Sequence, residues 1–194
     1  MTDVAAPKRV AITPAARRIL DAASRLFYDK GIHAVGVDLI AAESGVTKKT
    51  LYDRFGSKDQ LVTEYLLTRD EAWRAFLGDR LARVVDDPVE RLAEIFNVAR
   101  DWMDAKSPRG CSMVNAHAEI TDPQHPAFRI MADQKRWMLE LFISSARDCG
   151  VAEPEAVGEL LMLLHEGALV AHGMSIFADP IGRASAEARR LVGA

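Results

Sequence analysis

Little in this chain points to secretion, to membranes or to metal chemistry. Its 194 residues hold only two cysteines, Cys111 and Cys149. Neither has the spacing of a metal knuckle or a disulfide framework, which excludes a stapled extracellular domain and favours a reducing, cytoplasmic setting. Aromatics are sparse, and no strict alternation of apolar and polar residues reaches strand length, so the reading is all-α. Long apolar runs are missing too. The most hydrophobic stretch, residues 157–178, is interrupted by Glu159, His165, Glu166 and His172, which excludes a membrane span. The opening MTDVAAPKRVAI lacks the apolar centre of a signal peptide. There is no internal repeat and no low-complexity tract. Disorder is excluded as well, because 49% of the residues are hydrophobic.

Net charge is nearly absent, at −3 for the whole chain, but it is unevenly spread. Residues 1–60 carry ten Lys/Arg against seven acids, and the remainder carries 15 against 21. A basic head on an acidic body is the asymmetry that directs a polyanion to one end of a molecule.

What is present is a series of helix punctuation marks. Residues 1–12 read as a flexible arm in which Lys8 and Arg9 could meet phosphate. Thr13-Pro14 opens a first helix with a hydroxyl cap and proline in the first turn, and Gly31 ends it. Ile19, Ala22, Ala23, Leu26 and Phe27 recur between them at helical spacing. A short helix over about 37–44 stops at Gly45, and Thr47 caps a third over about 48–55. Ser57 and Gln60 then form a capping box for a long fourth helix, about 58–84. Asp87-Pro88-Val89-Glu90 opens a fifth, to about 105. Further helices are expected at about 111–121, 126–149, 154–177 and 180–192, nine in all. The domain reading is a flexible arm (1–12), a three-helix head (13–57) and a helical-bundle body (58–194).

The chemistry concentrates in residues 37–61, VDLIAAESGVTKKTLYDRFGSKDQL. Two short helices joined by a glycine turn form a helix-turn-helix, whose second helix enters the DNA major groove by its N-terminal end. Lys48 and Lys49 sit in the first turn of that helix, where the helix dipole disfavours cations. The placement makes sense if DNA supplies the compensating charge. Thr47 and Thr50 offer hydroxyls to phosphates or base edges. Tyr52 lies one turn beyond Lys48, Arg54 flanks the face, and Lys58 opens the next helix, whose free N–H groups suit an anion. Leu51 and Phe55 should face inward, towards Ile40 and Phe27.

Residues 13–66 resemble the N-terminal domain of the TetR family of bacterial transcriptional repressors. The resemblance rests on Ile19-Leu20-Asp21-Ala22-Ala23, Leu26-Phe27, Gly31, Ile40-Ala41, Gly45-Val46, Lys49-Thr50-Leu51-Tyr52, Phe55 and Ser57-Lys58-Asp59-Gln60-Leu61. It implies a homodimer joined through the last two long helices, a near-palindromic double-stranded operator, a small-molecule effector pocket in each body, and release from DNA on ligand binding. The DNA contacts it implies fall on Thr47, Lys48, Lys49, Thr50, Tyr52, Arg54 and Lys58. The sequence departs from the family at Gly36, where Ser or Thr is frequent, and Asp38 places an acid near that phosphate.

Other constellations fall short of a catalytic or metal site. His165-Glu166 lacks the second histidine of H-E-x-x-H, because position 169 is Leu. His117-Ala118-Glu119 resembles the H-x-E of zinc deaminases, but no P-C-x-x-C follows. Gly110-Cys111-Ser112-Met113-Val114 lacks the closing glycine of a nucleophile elbow. No catalytic residue, metal or cofactor is expected. The alternatives are a helical enzyme using His117, Glu119 or His165, and a protein–protein adaptor. Cys111 is a candidate redox sensor. Trp102, Met103, Met113, Trp137, Phe142 and Met162 are candidate walls of a ligand cavity. The helix at 154–177, apolar around most of its circumference, should face core on one side and a partner subunit on the other.

Overall fold

A computed structural model describes residues 9–84 and 86–193. Among them the chain forms nine helices and no strand: α1 (Pro14–Lys30), α2 (Val37–Ser44), α3 (Lys48–Phe55), α4 (Lys58–Leu81), α5 (Pro88–Lys106), α6 (Ser112–Glu119), α7 (Pro126–Asp148), α8 (Pro154–Gly173) and α9 (Pro180–Gly193). The all-α expectation holds, and the punctuation works as its chemistry demands. The Thr13 hydroxyl accepts the Ala16 N–H, and Asp87 accepts those of Val89 and Glu90. Gly45 adopts a left-handed conformation (φ 64°, ψ 35°) and closes α2, with the Val46 N–H reaching back to the Ala41 carbonyl. Two helices end earlier than expected. α4 stops at Leu81, and α8 stops at Gly173, beyond which Ser175 and Asp179 both take positive φ. Residues in that conformation cannot continue a right-handed helix.

The helices form two compact units by contact. The first comprises the residues up to Arg69 together with Ser112–Ala132, and the second comprises Asp70–Cys111 and Asp133–Ala194. Residues 13–57 lie whole within the first unit, which also takes in α6, while α4 and α7 contribute to both units.

In the first unit α1 packs on α2 and α3, which pack on each other. Ile19, Leu20, Leu26, Phe27, Ile40, Leu51, Phe55 and Leu61 are buried there. The Phe27 and Tyr65 rings sit 5.8 Å apart. Residues 1–8, including Lys8, lie outside the described residues. Arg9 departs from the flexible-arm expectation: its Nε donates to Glu64 Oε2 at 3.1 Å, and the Val10 N–H donates to Glu64 Oε1 at 2.7 Å. Glu64 is fully buried and needs those donors, since an unpaired buried carboxylate is costly.

The second unit is built on α5, α8 and α9, packed with the later part of α4 and with α7 around one core that includes Trp73, Leu77, Phe96, Phe142, Leu161 and Ile181. Met103 and Phe142, proposed from the sequence as pocket walls, are part of this core, while Trp102 stacks edge-on against Trp73 at 5.6 Å. Met113 belongs to the other unit. α7 and α8 touch at Gly158, where an added Cβ would come within 2.5 Å of Ile143 Cγ1. One face of α8 is core (Leu161, Ala168, Leu169), and the other leaves Leu160, Leu163 and Val170 exposed.

Candidate DNA-binding interface

α3 is short, and its sides are chemically opposite. Leu51 (0% exposed) and Phe55 (3%) anchor it in the first unit's core, which turns Lys48, Lys49, Tyr52, Asp53 and Arg54 outward. Tyr52 is a large aromatic left 45% exposed. At the amino end the Thr47 hydroxyl accepts the Thr50 N–H at 3.1 Å and lies 2.9 Å from the Thr50 hydroxyl. Both threonines are therefore fixed by the cap itself. Leu51 and Phe55, four residues apart, set the rotation of the helix, so the solvent side follows from burial of the other side.

The two lysines of the first turn each have a carboxylate partner within the chain, which the sequence expectation did not include. Lys48 Nζ lies 2.7 Å from Asp38 Oδ1 of α2, and Lys49 Nζ lies 3.4 Å from Asp53 Oδ2, one turn on. The Asp38 carboxylate, by hydrogen bond and by charge, holds the Lys48 ammonium above its ordinary pKa. All four side chains are more than half exposed. Such pairs are loose and screened, so phosphate can compete for the lysines.

Lys58 is placed differently from the other predicted residues. It is only partly accessible, and its Nζ donates to the Ile32 carbonyl at 2.6 Å while lying 6.0 Å from the Phe27 ring centroid. Burial lowers its pKa despite the nearby carboxylates of Asp59 and Glu119. The structure thus brings Thr47, Lys48, Lys49, Thr50, Tyr52 and Arg54 onto one short helix and turns the seventh predicted residue inward.

Sequence reasoning missed two carboxylates of this region. Asp38 was noted as an acid near phosphate, but its pairing with Lys48 needs the crossing of α2 and α3. In the sequence Glu119 stands out through an enzyme-like H-x-E and through the stretch Arg109-Gly110-Cys111…Asn115-Ala116…Glu119, which resembles some TetR-family members, and neither gives it a partner. Its Oε1 accepts the Ile32 N–H at 2.9 Å and its Oε2 the His33 N–H at 2.7 Å. No local signal marks either pairing.

The remaining reactive candidates have partners of their own. His117 lies against Phe128, with ring centroids 5.8 Å apart. His165 is buried between Phe96 and Phe142 in the second unit, with Nδ1 3.2 Å from Glu166 Oε1. His172 Nε2 lies 3.0 Å from Asp104 Oδ1. Lys135 Nζ donates to both Glu166 oxygens at 2.8 Å and lies 3.4 Å from Cys111 Sγ. Burial alone would raise the Glu166 carboxyl, but the His165 hydrogen bond and the Lys135 charge outweigh it and hold the pKa down to about 2. Among the described residues no three His, Cys, Asp or Glu side chains converge as a metal set. None of the described helices is long and apolar enough to cross a membrane.

A capped, basic second helix on a buried two-helix scaffold defines the helix-turn-helix class of regulators. Residues 19–65 match the family described as bacterial regulatory proteins, tetR family. The fold as a whole is similar to the crystal structure of a TetR-family transcriptional regulator from Streptomyces coelicolor, with 31% identity and a TM-score of 0.81, over 93% of this chain and 87% of that one. The chain belongs to the TetR family. Among curated relatives it is 32% identical over 107 residues to the transcriptional activator FasR of Mycolicibacterium smegmatis, covering 55% of this chain and 48% of that protein. It is 36% identical over 122 residues to the transcriptional repressor KstR2 of the same organism, covering 60% and 53%. The chain thus spans about half the length of the curated relatives it matches.

Proposed function

We propose that the protein is a cytoplasmic, homodimeric, DNA-binding transcriptional repressor released from a near-palindromic operator by a small-molecule effector. The observation that carries this reading is the outward side of α3. Two lysines, an arginine and a half-exposed tyrosine surround a threonine cap on a helix whose other side is buried. Lys48, Lys49 and Arg54 meet phosphates and set register; Thr47, Thr50 and Tyr52 reach base edges. Lys58 acts from inside the head, through the Ile32 carbonyl.

The dimer reading is supported by α8, where Leu160, Leu163 and Val170 share a stripe and stay exposed, Leu163 by 71%. A second copy would cover them, and two-fold symmetry would place two recognition helices on successive major grooves. The first and second units supply head and sensor, with α4 common to both. Gln134 Oε1 and His165 Nε2, buried in the second unit without a protein partner, offer an effector polar handles. Release would follow from a ligand that favours the body conformation with the heads out of register.

The test is selection of duplexes from a random pool, followed by a salt titration on the recovered sequence and a gel shift on the DNA upstream of the protein's own gene. A two-fold sequence bound with a steep inverse salt dependence is expected. Recovery of no sequence above the random background would end the proposal. A thermal-shift screen with small molecules identifies the effector class.

A further inference from the structure

We propose that Glu119, at the end of α6 and far from the helix-turn-helix in sequence, is a positioning residue for DNA reading, with Lys58 as its counterpart. The inference rests on the DNA-binding reading above. From Gly31, which ends α1 with φ 91°, to Gly36, just before α2 starts at Val37, the chain makes a six-residue connection. That connection sets the angle at which α2, and α3 behind it, leave α1. The start of α2 does not fix it, because the N-cap is Gly36 and has no side chain to hydrogen-bond.

The fixing groups come from elsewhere. Glu119 takes the consecutive N–H groups of Ile32 and His33 on its two oxygens, at 2.9 and 2.7 Å. Lys58 takes the Ile32 carbonyl at 2.6 Å. The backbone at Ile32 is therefore held through both its N–H and its C=O, each time by an ionised group, which makes the stronger kind of hydrogen bond. Both carboxylate oxygens approach to 3.2 Å of the position a Cβ on Gly31 would occupy, so glycine there also permits the approach. α6 is itself secured to the same unit. Arg69 Nε donates to the Ser112 hydroxyl at 2.5 Å, with the guanidinium 4.6 Å from the Tyr28 ring centroid, and His125 Nε2 lies 3.5 Å from Asp59 Oδ1. These contacts give Glu119 a firm base from which to hold the connection.

A contact that positions α3 should act on base recognition, which depends on register, more than on the general attraction of phosphate. The experiment uses the full-length chain with Glu119→Gln, Glu119→Ala and Lys58→Met. It measures affinity for the duplex selected by the wild type and for a random duplex, the salt slope of each, amide exchange at Ile32 and His33, and thermal unfolding. All three variants should lower the specific-to-random affinity ratio by roughly tenfold or more, the equilibrium equivalent of losing one charge-assisted hydrogen bond. The salt slope should stay at the wild-type value, and exchange at the two amides should quicken in the Glu119 variants, at temperatures where the protein remains folded. An unchanged ratio overturns the proposal, as does a loss spread equally over both duplexes. A reduced salt slope for Lys58→Met overturns the part assigned to Lys58 and returns it to the phosphates. If the wild type itself prefers no duplex, the DNA-binding reading has failed, and this inference with it.

Discussion

Asp38→Asn should strengthen DNA binding, and it should do so through Lys48. In the free protein the Asp38 carboxylate lies 2.7 Å from the Lys48 ammonium. A phosphate meeting that lysine must displace the carboxylate or share the cation with it, and must accept a negative charge close by. Counterion release gives a scale: each phosphate contact contributes about 0.9 to the slope of log K against log salt. Between roughly 50 and 200 mM salt, where log salt changes by about 0.6, one contact per head amounts to about a threefold change in affinity, and two heads to about tenfold. Lys48→Ala should therefore flatten the slope and Asp38→Asn steepen it, by amounts that for two heads together come to about two. The assay is fluorescence anisotropy on the selected duplex over that salt range, with single and double variants. In the Lys48→Ala background Asp38→Asn should do almost nothing, because the interaction it relieves is gone. An equal gain from Asp38→Asn with and without Lys48 would refute the reasoning, since Asp38 would then act as a general repulsive charge. A loss of affinity would refute it more simply, by showing that the acid's service to the α2 dipole outweighs its competition with phosphate.

Other outcomes follow from the second unit. Gly158→Ala should destabilise the protein by about 2–3 kcal/mol, because the new methyl would overlap Ile143 at 2.5 Å from Cγ1 and 2.7 Å from Cα. A fall of about 5–10 °C in the unfolding midpoint is expected by calorimetry, and an unchanged midpoint would show that α7 and α8 separate freely. If the proposed dimer forms through α8, Leu163→Lys should leave a monomer in sedimentation while shifting monomer stability by less than about 0.5 kcal/mol, as for any exposed position; a dimer that persists would place the interface elsewhere. Glu166 titrates at about 2 in the folded protein and near 4.5 when unperturbed, so it stabilises the fold above the higher value, and that contribution is lost as the pH falls towards the lower one. Up to about 3 kcal/mol is involved, and the stability gap between wild type and Glu166→Gln should shrink over this window. A gap that stays constant from neutral pH to pH 2.5, roughly the acid end of the window, would rule this role out.

The sequence by itself determined the helices of the head and which side of α3 faces outward. Thr47, Gly45 and Gly56 act within one turn of chain, and burial of Leu51 and Phe55 at helical spacing leaves Lys48, Lys49, Tyr52 and Arg54 only one direction to face. Local chemistry was sufficient there because caps and amphipathic spacing are short-range. The end of α8 was less legible: His172 and the apolar residues to Phe177 continue its pattern, whereas the backbone turns at Ser175 and Asp179. Tertiary structure alone decided which charges are already satisfied. Asp38 reaches Lys48 across a helix crossing, Glu64 captures Arg9 over 55 positions, and Glu119 reaches the amide of Ile32 over 87. A carboxylate's partner is set by proximity in space, and no periodicity in the chain encodes a contact between residues so far apart.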